Sequence, residues 1–478
     1  MMRALAMMGL LLLVASAGAA PVEFSNPPVV SSTNGVLETT LTVAPSQVTV
    51  GDKTVTTTVF NGLYMPPVLK VNPGDTVKLH LVDQSDMTVN LHYHGLLVTP
   101  LGAGDNVFLT VDPGTSFDYD FPIPANHPQG LFWYHPHVHP GVNEAIAGGL
   151  SGGLIVGDVL AGFPQLQGIT ERVLLLKDLK IRNNKPVVDP DPTGPTRRTV
   201  NGLTRPRIDI APGELQFWRI GNIGANIYYK LRLDKKVPFY VMVQDGNLKN
   251  QLVETTELLI PPGARYEVLV RGPKKKGTYR LRALKYNTGP DGDHYPAQIL
   301  ATMRNRGAKV TPQVALPTTF PVVPDLRNEG ATVKRTVVFA DTPNPNLFYI
   351  NGQAYDHNRI DMTVTLGNLE EWTVQNTAHE EHVFHIHQTD FQVVSINGEP
   401  QMFTGYQDTI NLPAATKKGG PSVVKLLIPF RDPVMVGEFV YHCHIVQHAD
   451  QGMMANIQVV DPAAPENVGP PAPGPAHH

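Results

Sequence analysis

Residues 441–453 read YHCHIVQHADQGM and contain the only cysteine of this 478-residue chain. A thiolate, imidazoles and a weak axial thioether are the ligands of a trigonal blue-copper site. Cys443, His448 and Met453 supply one of each at Cys-x4-His-x4-Met spacing. Met454 is an alternative axial residue, but the spacing favours Met453. The segment therefore predicts a mononuclear copper site that needs one more histidine.

Two further histidines, His442 and His444, flank the cysteine. Successive side chains of an extended strand point to opposite faces. If the segment is a strand, these two imidazoles lie on the face away from the sulfur. One strand would then serve two metal sites, one on each side.

Three other segments carry histidines at i, i+2 spacing, which places both rings on one face of a strand. A single pair of this kind is weak evidence, because most such pairs bind no metal. Ten of the 18 histidines fall in the four motifs, however, and that grouping predicts a cluster of metal ions. The three further motifs are His92-Tyr93-His94, His135-Pro136-His137 and His382-Val383-Phe384-His385-Ile386-His387.

An internal repeat divides the chain into three copies. The tripeptides Phe60-Asn61-Gly62, Val200-Asn201-Gly202 and Ile350-Asn351-Gly352 recur at intervals of 140 and 150 residues. Each precedes a glycine-containing turn and a short alternating apolar run, a pattern typical of β-sandwiches and barrels. We expect an all-β fold with domains at residues 36–158, 170–305 and 330–461, linkers at 159–170 and 311–325, and a disordered proline-rich tail at 462–478.

The copies differ at the histidine positions. The second copy has Asn226-Ile227-Tyr228-Tyr229-Lys230 where the other two have a His-x-His pair, and Pro136 of the first copy stands where Cys443 stands in the third. We therefore expect domains 1 and 3 to share the cluster at their interface. Domain 3 alone would hold the mononuclear site, and domain 2 would be a spacer.

The four motifs, in this order, resemble those of the three-domain multicopper oxidases, the laccase family, over nearly the whole mature chain. The resemblance implies three consecutive cupredoxin-like Greek-key domains and four copper ions: one type 1, one type 2 and a type 3 pair. It also implies one-electron oxidation of a reductant at the type 1 site, coupled to reduction of O2 to water. The segment His442-Cys443-His444 would be the covalent route between the sites.

The resemblance further implies a ligand set, motif by motif. The type 1 ligands would be His382, Cys443, His448 and axial Met453. The type 2 ligands would be His92 and His385. The type 3 ligands would be His94, His135, His137, His387, His442 and His444.

Reduction of dioxygen consumes protons, and a carboxylate near the cluster is the usual donor. Asp105 matches the acidic residue that the resembled family places near the type 2 region. Its turn, Gly104-Asp105-Asn106, also allows a purely structural role. Several bacterial members of the family have glutamate directly after the last type 1 histidine, where this chain has Ala449. Asp450 is therefore the candidate for a second relay group.

Composition excludes some partners and indicates export. The 38 Lys+Arg and 42 Asp+Glu give a formal net charge of −4, which offers no basic surface for nucleic acid. Residues 1–20 contain Arg3, an apolar stretch and then small residues, as in a secretory signal cleaved near Ala17 to Ala20. The apolar stretch is too short for a membrane anchor. We expect a periplasmic or secreted protein and predict no oligomeric state.

Two functions compete within the resembled family. The favoured one is a laccase-like oxidase of phenols, aromatic amines or similar reductants. The alternative is a metallo-oxidase of Cu(I), Fe(II) or Mn(II). A copper-free scaffold, such as the exported cell-division factors with this fold, is disfavoured by the complete ligand set. A copper nitrite reductase is disfavoured by the division of the histidine pairs between the first and last domains.

Overall fold

The structure is a computed structural model that describes residues 22–187, 196–343, 346–416 and 420–465. The predicted signal segment, its cleavage position and most of the predicted tail lie outside the described residues. Within these ranges, no helix combines the length and the apolar character needed to cross a bilayer.

Strands dominate the chain and fall into three consecutive groups. Domain 1 contains β1 (Val29–Ser31), β2 (Val36–Val50), β3 (Lys53–Phe60), β4 (Val68–Val71), β5 (Thr76–Asp83), β6 (His92–His94), β7 (Ser116–Pro122), β8 (Gly130–His135), helix α1 (Val142–Gly148) and β9 (Gly152–Val156). The connection to domain 2 contains two 3-10 turns, Val159–Gly162 and Pro164–Leu166.

The regular elements among the described residues of domain 2 are strands and one 3-10 turn, Asp234–Lys236. Its strands are β10 (Thr170–Leu179), β11 (Ile181–Arg182), β12 (Lys185–Pro186), β13 (Arg197–Val200), β14 (Arg207–Ile210), β15 (Leu215–Asn222), β16 (Tyr229–Leu233), β17 (Phe239–Gln244), β18 (Asn247–Thr255), β19 (Leu258–Ile260), β20 (Arg265–Arg271), β21 (Gly277–Ala283), β22 (Tyr286–Asn287), β23 (His294–Tyr295) and β24 (Gln298–Asn305).

Domain 3 follows a 3-10 turn at Leu326–Asn328 and contains another at Pro433–Met435. Its elements are β25 (Val333–Pro343), β26 (Asn346–Ile350), β27 (Met362–Thr365), β28 (Asn368–Asn376), β29 (His382–Ile386), β30 (Gln392–Ile396), β31 (Glu399–Pro400), β32 (Thr409–Leu412), β33 (Ser422–Phe430), β34 (Gly437–Cys443), helix α2 (Val446–Asp450) and β35 (Met454–Val460).

Each domain contains two larger sheets with the same plan, and domain 2 has two additional two-stranded sheets, β11-β12 and β22-β23. The first sheets have the orders β3-β2-β5-β7, β13-β10-β15-β20-β17-β18 and β26-β25-β28-β33-β30-β31. The second sheets have the orders β1-β4-β9-β8-β6, β14-β24-β21-β16-β19 and β27-β35-β34-β29-β32. In every first sheet the long opening strand pairs in parallel with the next long strand: β2 with β5, β10 with β15, and β25 with β28. The all-β prediction is confirmed.

The repeated Asn-Gly turns show why the three copies share a sequence signal. Asn61, Asn201 and Asn351 have φ angles of 52°, 54° and 53°, and the glycine after each is also at positive φ. Asparagine and glycine tolerate this left-handed conformation best. The Oδ1 atom of each asparagine also accepts a backbone N–H of the preceding long strand, at 2.7 to 2.8 Å. The turn therefore ties the end of β3, β13 or β26 to the long first strand of its sheet.

Adjacent strands carry the histidine motifs in both outer domains. In domain 1, β6 pairs with β8, and in domain 3, β29 pairs with β34. One buried apolar cluster runs from domain 2 into domain 3, where it includes Cys443 and Met453. A second apolar cluster fills domain 1. The histidines thus lie on rigid strands between packed cores.

Candidate copper centres

Three donor atoms form a small triangle around the single thiol. Cys443 Sγ lies 3.7 Å from His382 Nδ1 and 3.8 Å from His448 Nδ1, and these two nitrogens are 3.1 Å apart. A first-row divalent ion lies about 2.0 Å from imidazole nitrogen and about 2.3 Å from thiolate sulfur. Three ligands of a trigonal ion are then separated by about 3.5 Å. The triangle fits such an ion, with His382 as the second imidazole.

Burial controls the protonation of this triangle. It raises the pKa of the Cys443 thiol to about 12 and lowers the pKa of His382 to about 3. A neutral imidazole keeps a lone pair for a metal, and a bound metal ion deprotonates a coordinating thiol outright. The residues therefore fit a metal ion, which would supply the positive charge that the buried thiolate lacks.

Two adjacent methionines follow the triangle, and they pack on different sides. Met453 is fully buried in the cluster that contains Cys443, and its carbonyl accepts the N–H of Cys443. Met454 packs against Val107 and Phe108 of domain 1. This packing favours Met453 over Met454 as the residue beside the thiol.

Strand pairing places two sites on opposite faces of the same strand pair. Phe384 of β29 lies opposite Cys443 of β34, and His385 lies opposite His442. Residues directly opposite each other in a sheet point to the same face. The face with His385 and His442 is therefore the one away from the thiol.

Eight histidines meet on that face, between domains 1 and 3. The ring of His92 stacks on His387 with centroids 3.8 Å apart, and the ring of His94 stacks on His385 at 3.9 Å. Each stack joins one domain to the other. All eight side chains are at most 3% exposed. The set is His92, His94, His135, His137, His385, His387, His442 and His444.

Ring nitrogens within this set point at one another. His444 Nε2 lies 3.1 Å from His94 Nδ1, and His442 Nε2 lies 3.3 Å from His387 Nε2 and 3.5 Å from His137 Nε2. Burial and neighbouring rings lower the pKa of these imidazoles, so the rings are neutral. Three further histidines of the set have a buried Nε2 atom without a hydrogen-bond partner: His92, His135 and His385.

Buried polar atoms without partners are rare and call for an explanation such as an ion. His127 shows the contrast, because it is equally buried but both ring nitrogens are used. Its Nε2 accepts the N–H of Leu97 at 2.9 Å, and its Nδ1 donates to the carbonyl of Pro128 at 2.7 Å. The convergent, unpartnered nitrogens of the eight histidines therefore fit a cluster of metal ions.

Asp105 holds His92 from behind. Both carboxylate oxygens lie 3.0 Å from His92 Nδ1, while Tyr93 N–H and the side-chain amide of Gln388 donate to the same carboxylate at 3.0 and 2.9 Å. Burial raises the pKa of Asp105 to about 7. A carboxylate in this place orients a metal-binding imidazole and leaves its other nitrogen for the metal. The relay role of Asp105 stays a prediction.

Asp450 lies in a different environment from Asp105. Its carboxylate accepts the backbone N–H groups of Gly141, Val142 and Asn143, at 3.2, 3.3 and 2.7 Å. These groups begin α1 of domain 1, so a domain 3 side chain caps a domain 1 helix. These bonds and the contact with His139 lower the pKa of Asp450 against its burial. The relay role of Asp450 also stays a prediction.

Sequence reasoning missed His139, which connects Asp450 to the histidine cluster. Its Nδ1 lies 2.6 Å from Asp450 Oδ1, and its ring centroid lies 4.9 Å from that of His137. Its position two residues after His137 was an available signal. Sequence reasoning also missed three buried residues that belong to no motif: Gln388, Asp408 and Arg265.

Three family profiles described as multicopper oxidase match residues 42–159, 172–308 and 327–463. The chain belongs to the multicopper oxidases. Membership implies copper as the metal, and these enzymes are oxidoreductases that use O2 and a reducing substrate. Among curated relatives, multicopper oxidase mco of Staphylococcus haemolyticus is 26% identical over 413 residues, which cover 84% of this chain and 83% of the relative. Cell division protein FtsP of Escherichia coli is 26% identical over 419 residues, 84% of each chain.

Solved structures give the same fold. The multicopper oxidase from Campylobacter jejuni, described as a metallo-oxidase, has a TM-score of 0.78 at 25% identity and covers 92% of this chain and 96% of its own. The laccase-like CueO from Ochrobactrum sp., with oxidase activity towards lignin model compounds and lignosulfonate, has a TM-score of 0.76 at 25% identity, covering 91% and 100%. The cupredoxin-like fold is confirmed.

In this multicopper oxidase an acidic recess of about 620 Å³ reaches His448. Glu380 Oε1 lies 3.6 Å from His448 Nε2. Burial raises the pKa of Glu380 to about 8, and the nearby negative charges of Asp341 and Asp293 add to this effect. The recess is lined by Asp291, Asp293, Asp341, Phe348, Thr377, Ala378, His379, Glu380, Gln447 and His448.

Proposed function

We propose that this protein is a four-copper oxidase that takes electrons from a small reductant near His448 and delivers them to dioxygen between domains 1 and 3. One observation carries the proposal. Cys443 forms the triangle with His382 and His448, while its neighbours His442 and His444 belong to the eight-histidine set. Bound copper would supply the one-electron acceptors and the site of O2 reduction.

The residues of the chain divide the remaining tasks. His448 is the ligand at the floor of the recess, so electrons would enter at its edge. Cys443 is joined to His442 and His444 by single peptide links, which gives a short covalent route between the two sites. The histidine cluster is buried between packed domains, which limits escape of partly reduced oxygen. Asp105 would fix the orientation of His92 there.

The recess supports a metal cation as the reductant. Four carboxyl groups from domains 2 and 3 line it, and one of them touches a type 1 ligand. Carboxylate oxygens suit hard divalent ions, and a cleft lined by one sign of charge concentrates the opposite ion. Fe(II) and Mn(II) fit best, and Cu(I), a softer ion, fits less well because thioether and thiolate are its preferred ligands. Similarity to the multicopper oxidase from Campylobacter jejuni, described as a metallo-oxidase, also supports a metal ion as the reductant.

A phenol or aromatic amine is the second candidate. Phe348 stacks on His448 with ring centroids 4.1 Å apart and gives the recess an apolar wall. An aromatic reductant could contact this wall while a carboxylate accepted its O–H or N–H. Similarity to the laccase-like Ochrobactrum enzyme supports this candidate.

The full ligand set argues against a copper-free scaffold. FtsP is similar to this chain over most of its length, so the fold alone does not distinguish an oxidase from a cell-division protein. The unpartnered ring nitrogens and the Cys443 triangle are what a scaffold would not need. Copper content of the purified protein separates the two: about four ions per chain supports the oxidase, and none supports the scaffold.

Oxygen uptake by the copper-loaded protein tests the function directly. We expect uptake with Fe(II) or Mn(II), and slower uptake with a phenol, an aromatic diamine or Cu(I), each measured in parallel. Cys443→Ser is the control for uncatalysed oxidation. Uptake that is fastest with the phenol would reverse the order of the two candidates. A fully loaded protein that consumes no oxygen with any of the five would contradict an oxidase.

We also propose that the protein is exported and that the signal segment within residues 1–20 is removed. The support is the charged, apolar and small-residue order of residues 1–20. Sequencing the amino terminus of the mature protein tests this. We expect it to begin shortly after Ala17 to Ala20, and an intact Met1 would contradict it.

A further inference from the structure

Behind the histidine cluster lies one carboxylate that serves two of its members. Asp408 Oδ1 is 3.5 Å from Nε2 of His94, and the backbone carbonyl of Asp408 accepts from Nδ1 of His385 at 2.9 Å. Thr409 Oγ1 donates to Asp408 Oδ1 at 2.7 Å. The pairing of β29 with β32 sets His385 opposite Thr409, which brings Asp408 to this place. A domain 1 imidazole and a domain 3 imidazole are therefore held by the same residue.

Domain 2 provides the partner of this carboxylate. Both guanidinium nitrogens Nη1 and Nη2 of Arg265 donate to Asp408, each at 2.8 Å, in a bidentate ion pair. Arg265 Nε donates to the carbonyl of Leu131 in domain 1 at 3.2 Å, and Arg265 N–H donates to Asp245 at 2.8 Å. Arg265 is completely buried. All three domains meet at this side chain.

The ion pair also contacts the backbone next to His94. A Cβ atom at Gly95 would lie 2.3 Å from Arg265 Nη2 and 2.6 Å from Asp408 Oδ2. Position 95, directly after His94, therefore has no room for a side chain larger than the hydrogen atom of glycine. On the other side, a Cβ at Gly263 would lie 2.9 Å from Cδ2 of His444 and 3.0 Å from Cε1 of His94. The turn that leads into Arg265 is thus packed directly on two cluster imidazoles.

We propose that Arg265 is a positioning residue of the trinuclear copper site, contributed by the domain that has no copper ligand. By gripping Asp408 with two nitrogens, it holds the carboxylate against His94 and the Asp408 carbonyl against His385. Outer partners of this kind fix the orientation of metal-binding imidazoles, and their loss typically weakens metal binding 10- to 100-fold. The inference rests on the proposed copper cluster and adds a positioning role to the expectation that domain 2 is a spacer.

The type 1 site supplies an internal reference for the test. We would prepare the full-length copper-loaded protein with the double substitution Arg265→Gln and Asp408→Asn, which removes both charges of the bidentate pair together. The buried Asp245, whose Oδ1 lies 3.6 Å from Arg265 Nη1, loses one cationic neighbour in this variant. Copper per chain, the electron paramagnetic resonance signal of the type 2 ion and the blue absorption would be measured during competition with a chelator. We expect type 2 and type 3 copper to be lost at about 10- to 100-fold lower chelator concentration, with the blue absorption unchanged.

Two single variants separate positioning from stability. Arg265→Lys keeps the charge but loses the planar bidentate grip, so copper retention should lie between wild type and the double variant. Arg219→Gln is the matched control, because Arg219 is a 2% exposed arginine of the same domain that pairs with Glu267 and Glu171. It should lower the unfolding temperature and leave the type 2 signal unchanged.

Three results would overturn the inference. One is a double variant that holds copper as tightly as wild type with the same type 2 signal. Another is equal loss of trinuclear copper in Arg219→Gln, which would make the effect one of general stability. A third is wild-type protein that binds no copper, which would overturn the proposed function as well.

Discussion

The two proposed copper centres differ in how many parts of the molecule each one needs. The proposed type 1 triangle comes from domain 3 alone, with His382 on β29, Cys443 on β34 and His448 on α2. The proposed trinuclear site would take four histidines from domain 1 and four from domain 3, and Arg265 of domain 2 packs behind them. The first site would form when one domain folds, whereas the second would form only when three domains dock.

This difference predicts that the two centres can be disturbed separately. A change inside domain 3 should remove the type 1 site and leave the docked domains in place. A change at the domain junction should do the reverse. The following experiments use this contrast, beginning with the largest expected effect.

Replacing Cys443 by serine should remove the type 1 site alone. The intense blue colour depends on a thiolate ligand, and a hydroxyl group at the same place cannot supply it. We expect loss of the blue absorption, one copper ion fewer per chain and no measurable turnover, while the type 2 signal persists. Absorption and electron paramagnetic resonance spectra with copper analysis provide the check. An intense blue absorption in this variant would refute the assignment of Cys443.

Copper removal should destabilise the docked domains. A ligand that binds only the folded state adds about 4 kcal/mol at a free concentration a thousandfold above its dissociation constant. Since the eight histidines join domains 1 and 3, chelation should lower the unfolding temperature and expose the linker between domains 2 and 3, residues 311–325, to protease. Cys443→Ser is the comparison, because its trinuclear copper should still join the domains. If chelation leaves the stability of that variant unchanged, the trinuclear ions do not hold the domains together.

Gly263→Ala should disturb the junction from the side of domain 2. The new methyl group would meet the rings of His94 and His444 at about 3 Å, so we expect about 10-fold weaker retention of trinuclear copper with the blue absorption retained. Gly74→Ala is the matched control. The φ angles at Gly263 and Gly74 are 87° and 89°, and a Cβ at Gly74 meets nothing within 4 Å. Both variants carry the same backbone cost of about 1–2 kcal/mol; equal copper loss in both would attribute the effect to strain.

The sequence predicted which histidines would converge with Cys443, because histidine and cysteine are rare and stood in repeated, strand-spaced groups. It also revealed the three copies through the Asn-Gly turns. Arg265 and Asp408 carried no comparable signal, because arginine and aspartate are common on protein surfaces. Only the docking of three domains buries them. For the same reason the sequence contained no sign of the positioning role that we propose for domain 2.

Asp450 illustrates a second limit. Its place beside Ala449 and His448 indicated a relay group, since a sequence shows which residues are neighbours along the chain. Its hydrogen-bond partners begin α1, some 309 residues earlier, at Gly141, which has no side chain to cap the helix. A long-range cap of this kind has no local pattern. The short helix α1 and its cap therefore could not be predicted from the sequence alone.

The smallest expected effect is at the electron entry, where Glu380→Gln keeps the shape of the side chain but removes a carboxyl group. The raised pKa of Glu380, about 8, means that this group would carry its full charge when a cation binds beside it. If the recess binds a cation, losing one of four carboxylates should cost about 1 kcal/mol, or about a fivefold higher KM for Fe(II) or Mn(II). The kcat and the KM for a neutral phenol should not change. Glu399→Gln, at an exposed glutamate of β31, is the control for overall charge.

The dependence of KM on salt concentration distinguishes cation binding in the recess from an effect of Glu380 on the copper ligand His448. Screening weakens attraction between a cation and a partly open carboxylate cluster, so the wild-type KM for the metal ion should rise with ionic strength, and less steeply in Glu380→Gln. Glu380 also contacts His448, and a change transmitted through that imidazole would alter oxidation of every reductant alike. Equal loss of activity with the phenol and with the metal ion would thus show that Glu380 acts through the type 1 ligand His448. Loss of activity with the metal ion alone would show that Glu380 acts on the bound substrate.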